Sequence, residues 1–206
     1  MMAIKPILFN TEMVRAILDG LKTCTRRICK DANEYTVPDM EFYNAYKRTY
    51  AVHNFADKEQ MEQLSTAERT CPICPGDILY VRETWMDYAG LTMYKADCDT
   101  YRLDSLNLAG FEWKPSIHMP KEAARIWLKV TDVRVERLQD ITADSIRNEG
   151  LSSLAVHCGD MEIALKEWEN LWNSTIKKSD IDSYGWGANP WVWVIEFERC
   201  EKPEGV

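Results

Sequence analysis

The sequence has no apolar run of membrane-spanning length, so no helix of it is expected to cross a bilayer. Its opening, MMAIKPILFN, holds one lysine, a very short apolar run and no small-residue cleavage site. It does not read as a secretion signal, and the expected location is the cytoplasm. There is no Walker-type glycine loop, no GxGxxG, no GxSxG elbow and no HExxH. The commonest nucleotide-binding, serine-hydrolase and zinc-peptidase signatures are therefore missing. Histidine is scarce: His53, His118 and His157 lie far apart, and nothing recommends a histidine-based site. Positive charge is also short. Lys and Arg number 25 against 33 Asp and Glu, for a net charge of -8. This argues against a strong non-specific grip on a long phosphate backbone, though not against a local basic pocket. No internal repeat or low-complexity tract is visible.

What is present fits a folded protein. A chain of 206 residues suits one domain with insertions, and a hydrophobic share of 46% can form a sizeable core. Eight tryptophans and nine tyrosines are many for this length. Such side chains mostly fill cores, but they also stack on bases. Seven cysteines are scattered through the chain and are expected to be reduced thiols, several of them buried. CPIC, residues 71–74, has zinc-knuckle spacing without a second close pair. Its other reading is a turn carrying two thiols before Pro75-Gly76.

The pattern predicts a short strand over 5–9 and a helix over 11–20. Val14, Ile17, Leu18 and Leu21 form its apolar stripe, Asn10 or Thr11 its cap and Gly20 its stop. A strand starts near 25–30. Residues 31–74 are polar and tyrosine-rich without a clean period, and read as an insertion with a helix near 57–69. PGDILYVRETW (75–85) predicts a turn and a strand, with 91–97 as its hairpin partner. Residues 98–122 read as irregular. The clearest strand is 124–138, with a bulge or bend at Thr131-Asp132 where the alternation changes phase. A short helix over 141–151 has Thr142 as its cap and Gly150 as its stop. A longer helix spans 160–177, with Leu165, Trp168, Trp172 and Ile176 on one face, and a last strand runs through 189–198. The order has no βαβ alternation, so the expected class is α+β with a small mixed or antiparallel barrel.

GLKTCTRR, residues 20–27, is where chemistry concentrates. A threonine hydroxyl is a weak nucleophile until a base takes its proton. A lysine three positions earlier can be that base if burial or neighbouring cations favour its neutral form, and Arg26 and Arg27 stand beside it. On pattern alone, cations after a helix end are also what the helix dipole favours.

Gly20, Lys22 and Arg27 resemble the signature of the ASCH family, with Thr25 where a glutamate usually stands. PGDILYVRETW, WLKVTDVRVERLQDITADSIRNEG and NPWVWVIEFE resemble the family's turn-strand, strand-helix and closing strand. The segment WKPSIHMP (113–120) resembles long members carried by tailed phages and prophages. The likeness covers about 4–30 and 75–199 of a single domain and leaves 31–74 as the insertion. It implies a PUA-like β-barrel flanked by helices. Thr25 matches the enzymatic subgroup, an amidohydrolase that removes acetyl from N4-acetylcytidine. The resemblance then implies catalytic roles for Lys22, Thr25 and Glu149, with no metal and no cofactor. Arg26 and Arg27 are candidate substrate contacts. Arg27 is equally a candidate barrel anchor paired with a carboxylate. Glu83 and Trp85 are candidates near the barrel rim, as are Tyr94, Lys95 and Trp186. The expected partner is a small nucleoside or modified base. The alternatives are a non-catalytic reader of RNA or of a modified base, a ribonuclease using the same pocket, and an accessory protein that binds a host protein through 31–74.

Overall fold

The structure is a computed structural model, and it describes residues 2–30, 32, 36–55, 63–151, 158 and 160–205. Strand β1 (Ile4–Leu8) leads into helix α1 (Thr11–Leu18). Asn10 caps that helix by accepting the Met13 N–H at 2.8 Å. Val14, Ala16 and Ile17 are its buried face, and Gly20 ends it at φ +74°. Strand β2 (Cys24–Ile28) follows.

Strands β3 (Thr36–Asn44), β4 (Thr49–Phe55) and β5 (Gln63–Thr70) form a separate antiparallel sheet. The helix expected near 57–69 is corrected here, since 63–69 is strand and 57–62 lie outside the described residues. The backbone of β4 pairs with β5 from Thr49↔Thr70 to Phe55↔Gln63, a tertiary contact that overrides weak local preference. Tyr50 and Val52 are two residues apart and share one face of β4, which enters the main core. Tyr50 meets Trp193 edge-on at 4.9 Å.

Strand β6 (Ile78–Arg82) precedes a hairpin of β7 (Trp85–Tyr88) and β8 (Leu91–Tyr94). The partner of 91–94 is therefore 85–88 and not 78–81. Ala89 and Gly90 both have positive φ, as a two-residue hairpin turn requires, and β6 has a neighbour on each side. The 98–122 segment is also more regular than expected. Helix α2 (Thr100–Leu108) is capped by Asp99, and none of its residues is buried, which explains the missing apolar period.

Strand β9 (Trp127–Arg137), helix α3 (Ala143–Asn148), helix α4 (Met161–Thr175) and strand β10 (Trp191–Cys200) complete the chain. The ladder between β9 and β10 shifts register between Glu196 and Phe197, leaving Thr131 as the extra residue. The main sheet runs β1-β6-β9-β10-β2, with β1 and β6 parallel and the other pairs antiparallel. The class is α+β. The two edge strands, β1 and β2, share no ladder. The Arg27 guanidinium spans the gap instead, donating to the Leu8 carbonyl at 2.8 Å. One sheet face carries the core around Ile7, Leu79, Leu128 and Ile195. On the other, Val192 and Val194 pack beneath Trp168 and Trp172 of α4 and Ile146 of α3. No helix among the described residues is long and apolar enough to cross a membrane.

Candidate active site

The turn after α1 runs directly across the end of α3. The backbone at Lys22 is held there by a bridge to Glu149, and the Thr23 N–H donates to the Asn148 carbonyl at 2.8 Å. Gly150 makes this approach feasible. Its φ is +91°, and a Cβ there would lie 2.8 Å from the Ala16 Cβ and 3.0 Å from the Lys22 Cβ. Residues 127 positions apart thus meet side by side. Lys22 Nζ donates to Glu149 Oε2 at 2.6 Å and to the Glu149 carbonyl at 2.9 Å.

Arg26 takes the other carboxylate oxygen, its Nη1 lying 3.1 Å from Glu149 Oε1. Its remaining edge holds Glu136 Oε1, through Nε at 3.1 Å and Nη2 at 2.5 Å. The side chains of Lys22, Arg26 and Glu149 are 1%, 0% and 4% exposed. Buried ions are tolerable only when paired and hydrogen-bonded, and here two cations meet two carboxylates. Glu136 is absent from the sequence-derived site. Alternation along β9 puts Arg134 and Glu136 on one face, but only the strand order shows that this face meets Arg26.

Alternation along β2 separates the remaining residues. Thr25 and Arg27 pair with Ile195 and Trp193 on the inner face, while Arg26 pairs with Val194 under α4. Because β2 is an edge, one small chamber wraps around it. Lys22, Thr25, Arg26, Arg27 and Glu149 all line this chamber of about 60 Å³, walled by Phe9, Trp168 and Trp172. Thr25 is 2% exposed, and among the described residues its hydroxyl has no hydrogen-bond partner. A water molecule claims about 30 Å³ of liquid, so the chamber accepts a group of only a few heavy atoms. It adjoins a wide cleft of about 620 Å³, with Phe9, Asn10, Met13, Arg27 and Thr175 in the walls of both.

Other candidates lie elsewhere. Glu83 is buried and bonded to Arg125 at 2.9 and 3.1 Å, and it does not line the chamber. Burial raises its carboxyl above the ordinary range, against the opposite pull of Arg125. Trp85 packs with Met119 and Trp127 in a third apolar cluster. Tyr94 donates its hydroxyl to the Ala123 carbonyl, Lys95 begins a short 3₁₀ turn, and Trp186 borders a different depression beside Ile163 and Lys166. Among the described residues Arg27 makes no direct ion pair with a carboxylate; its guanidinium meets backbone carbonyls, and Glu149 acts on it only through space. Burial and then Glu149 push the Cys24 thiol up to about 12, which disfavours its thiolate. Cys71 and Cys74 are buried in the main core, their thiols donating to the Ile73 and Cys71 carbonyls. Among the described residues no group of three or more His, Cys, Asp or Glu side chains is arranged to hold a metal. His53 bonds Asp39 and Thr66, His118 ends a 3₁₀ turn, and His157 lies outside the described residues.

No family model and no curated protein matches the chain. Among solved structures, it is similar to the hypothetical protein PH0355, at 14% identity and a TM-score of 0.40, over 96% of this chain and 99% of that one. It is also similar to an ASCH domain from Lactobacillus crispatus JV V101, at 12% identity and a TM-score of 0.37, over 96% of this chain and 79% of that one.

Proposed function

We propose that the protein hydrolyses an N-acyl amide on a modified nucleoside or nucleobase, with N4-acetylcytidine as the model substrate. The supporting observation is Thr25, a residue 2% exposed whose hydroxyl has no hydrogen-bond partner among the described residues, in one small chamber with the Lys22–Glu149 pair. Across that 2.6 Å contact, an ion pair and a neutral amine–acid pair differ by the position of one proton. In the neutral form, the Lys22 amine takes the proton of Thr25 as Oγ1 attacks the acyl carbon. Lys22 is then an ammonium beside the new oxyanion, which it stabilises. The acid proton of Glu149 passes to the exocyclic nitrogen as the C–N bond breaks. Water next attacks the Thr25 ester, its hydroxyl joining the acyl group and a proton returning to Thr25. The extra proton on Lys22 then passes across the same contact to the Glu149 carboxylate, so both end as they began. Arg26 is a positioning residue in this scheme, because its two edges fix Glu149 against Glu136.

The test is to incubate the protein with N4-acetylcytidine and follow cytidine by chromatography. Turnover is expected for wild type and Thr25→Ser, with a loss of at least about a thousandfold in Thr25→Ala. No turnover by a folded wild-type protein, or full activity in Thr25→Ala, would overturn the proposal.

A further inference from the structure

The sequence holds a basic cluster of Lys22, Arg26, Arg27 and Lys30, and the fold divides it. Lys22 and Arg26 are neutralised by Glu149 and Glu136. Arg27 and Lys30 are different: both line the wide cleft, and among the described residues neither is in an ion pair, although Glu149 acts on Arg27 through space. Among the described residues, the charged side chains in the cleft wall are Arg27 and Lys30, both cations. In a chain of net charge -8, such a wall favours an anion.

The walls of the two spaces set the order of these groups. Thr25 and Arg27 lie on the same face of β2, about 7 Å apart along the strand, and Lys30 sits in the turn two residues past its end. Arg27 lines both chamber and cleft, whereas Lys30 lines the cleft alone, so a ligand running outward from Thr25 meets Arg27 first. The chamber beside Thr25 holds a few heavy atoms, whereas the cleft falls within the about 300–1,000 Å³ of ordinary small-molecule sites. Phe9 and Trp193 give the cleft aromatic surface. Resting on the reading above, we infer that the substrate is a nucleotide rather than a nucleoside. Its acyl group enters the chamber, its base and sugar occupy the cleft, and Arg27 and Lys30 hold its phosphate. Arginine suits this role because its planar fork matches phosphate oxygens, and lysine adds a point charge.

A free mononucleotide and the end of an RNA chain share this chemistry. Calorimetric titration of the intact protein, which needs no turnover, separates them. The probes are cytidine, cytidine 5′-monophosphate, cytidine 3′-monophosphate and a 5′-phosphorylated trinucleotide. At least one monophosphate is expected to bind about tenfold more tightly than cytidine, a difference of about 1.4 kcal/mol. Added salt should shrink that ratio, and Lys30→Glu should bring it close to one. Tighter binding of the trinucleotide than of either monophosphate would support the phosphate site and assign it to an RNA end. Equal binding of cytidine and both monophosphates would overturn this inference alone. A folded protein that binds none of the four would overturn the nucleoside reading with it.

Discussion

Replacing Glu149 by alanine removes the carboxylate that lies between two buried cations. Lys22 would keep one hydrogen bond, to the backbone carbonyl of residue 149, and Arg26 would keep Glu136. With the Lys22 side chain 1% exposed, its ammonium could not recover the lost interaction from water. Deleting one partner of a buried ion pair costs about 3–5 kcal/mol. That is a large part of the about 5–15 kcal/mol that holds a domain together. For a chain of this length, each kcal/mol moves Tm by about 2–4 °C, so Glu149→Ala should melt about 6–20 °C below wild type. Guanidinium unfolding with a check on the m-value gives the same difference independently. The double variant Lys22→Met/Glu149→Leu supplies the control. Apolar replacement of a buried pair is often neutral, so it should regain most of the stability while remaining inactive. If Glu149→Ala lost less than about 1 kcal/mol, the pair would not be desolvated as described and the reasoning would fail.

Two further predictions concern the surroundings of the site. Asp77 is fully buried and accepts Arg48 at 2.8 and 2.5 Å, with the Ala3 and Cys74 amides each at 3.0 Å. Burial alone raises its carboxyl, but Arg48 and the amides outweigh it and hold the carboxyl below the ordinary range. A depressed carboxylate stabilises above its unfolded value and loses that contribution as pH falls through the folded one. Asp77→Asn should therefore be less stable at pH 7, with the gap narrowing below about pH 4; a gap independent of pH in unfolding titrations would contradict this. Gly150→Ala puts a methyl against Ala16 and Lys22 in a left-handed backbone, so about 1–3 kcal/mol of stability and part of the turnover should be lost. Unchanged melting and kinetics would show that the turn tolerates the side chain.

Local signals were sufficient for much of the fold. The Asn10 and Thr142 caps, the stops at Gly20 and Gly150, the bulge at Thr131 and the closing strand each depend on residues a few positions apart. Other segments lack such signals. Gln63–Thr70 is strand because β4 pairs with it, and α2 is a helix with no buried face to announce its period. Leu91–Tyr94 pairs with Trp85–Tyr88, which its alternation cannot show, because alternation marks a strand without naming its neighbour.

The same division holds at the site. The sequence by itself determined the donors and their order: Lys22, Thr25, Arg26, Arg27 and Lys30 on one turn and strand, with Glu149 at a helix end. Only the tertiary structure decided which charges are neutralised. Glu136 reaches Arg26 across the sheet, Glu149 returns over 127 residues to Lys22, and Arg27 and Lys30 face a cleft with no carboxylate among its described residues. Ion pairing acts over a few ångströms of space, and the strand order that sets those distances is fixed by the packing of the whole sheet.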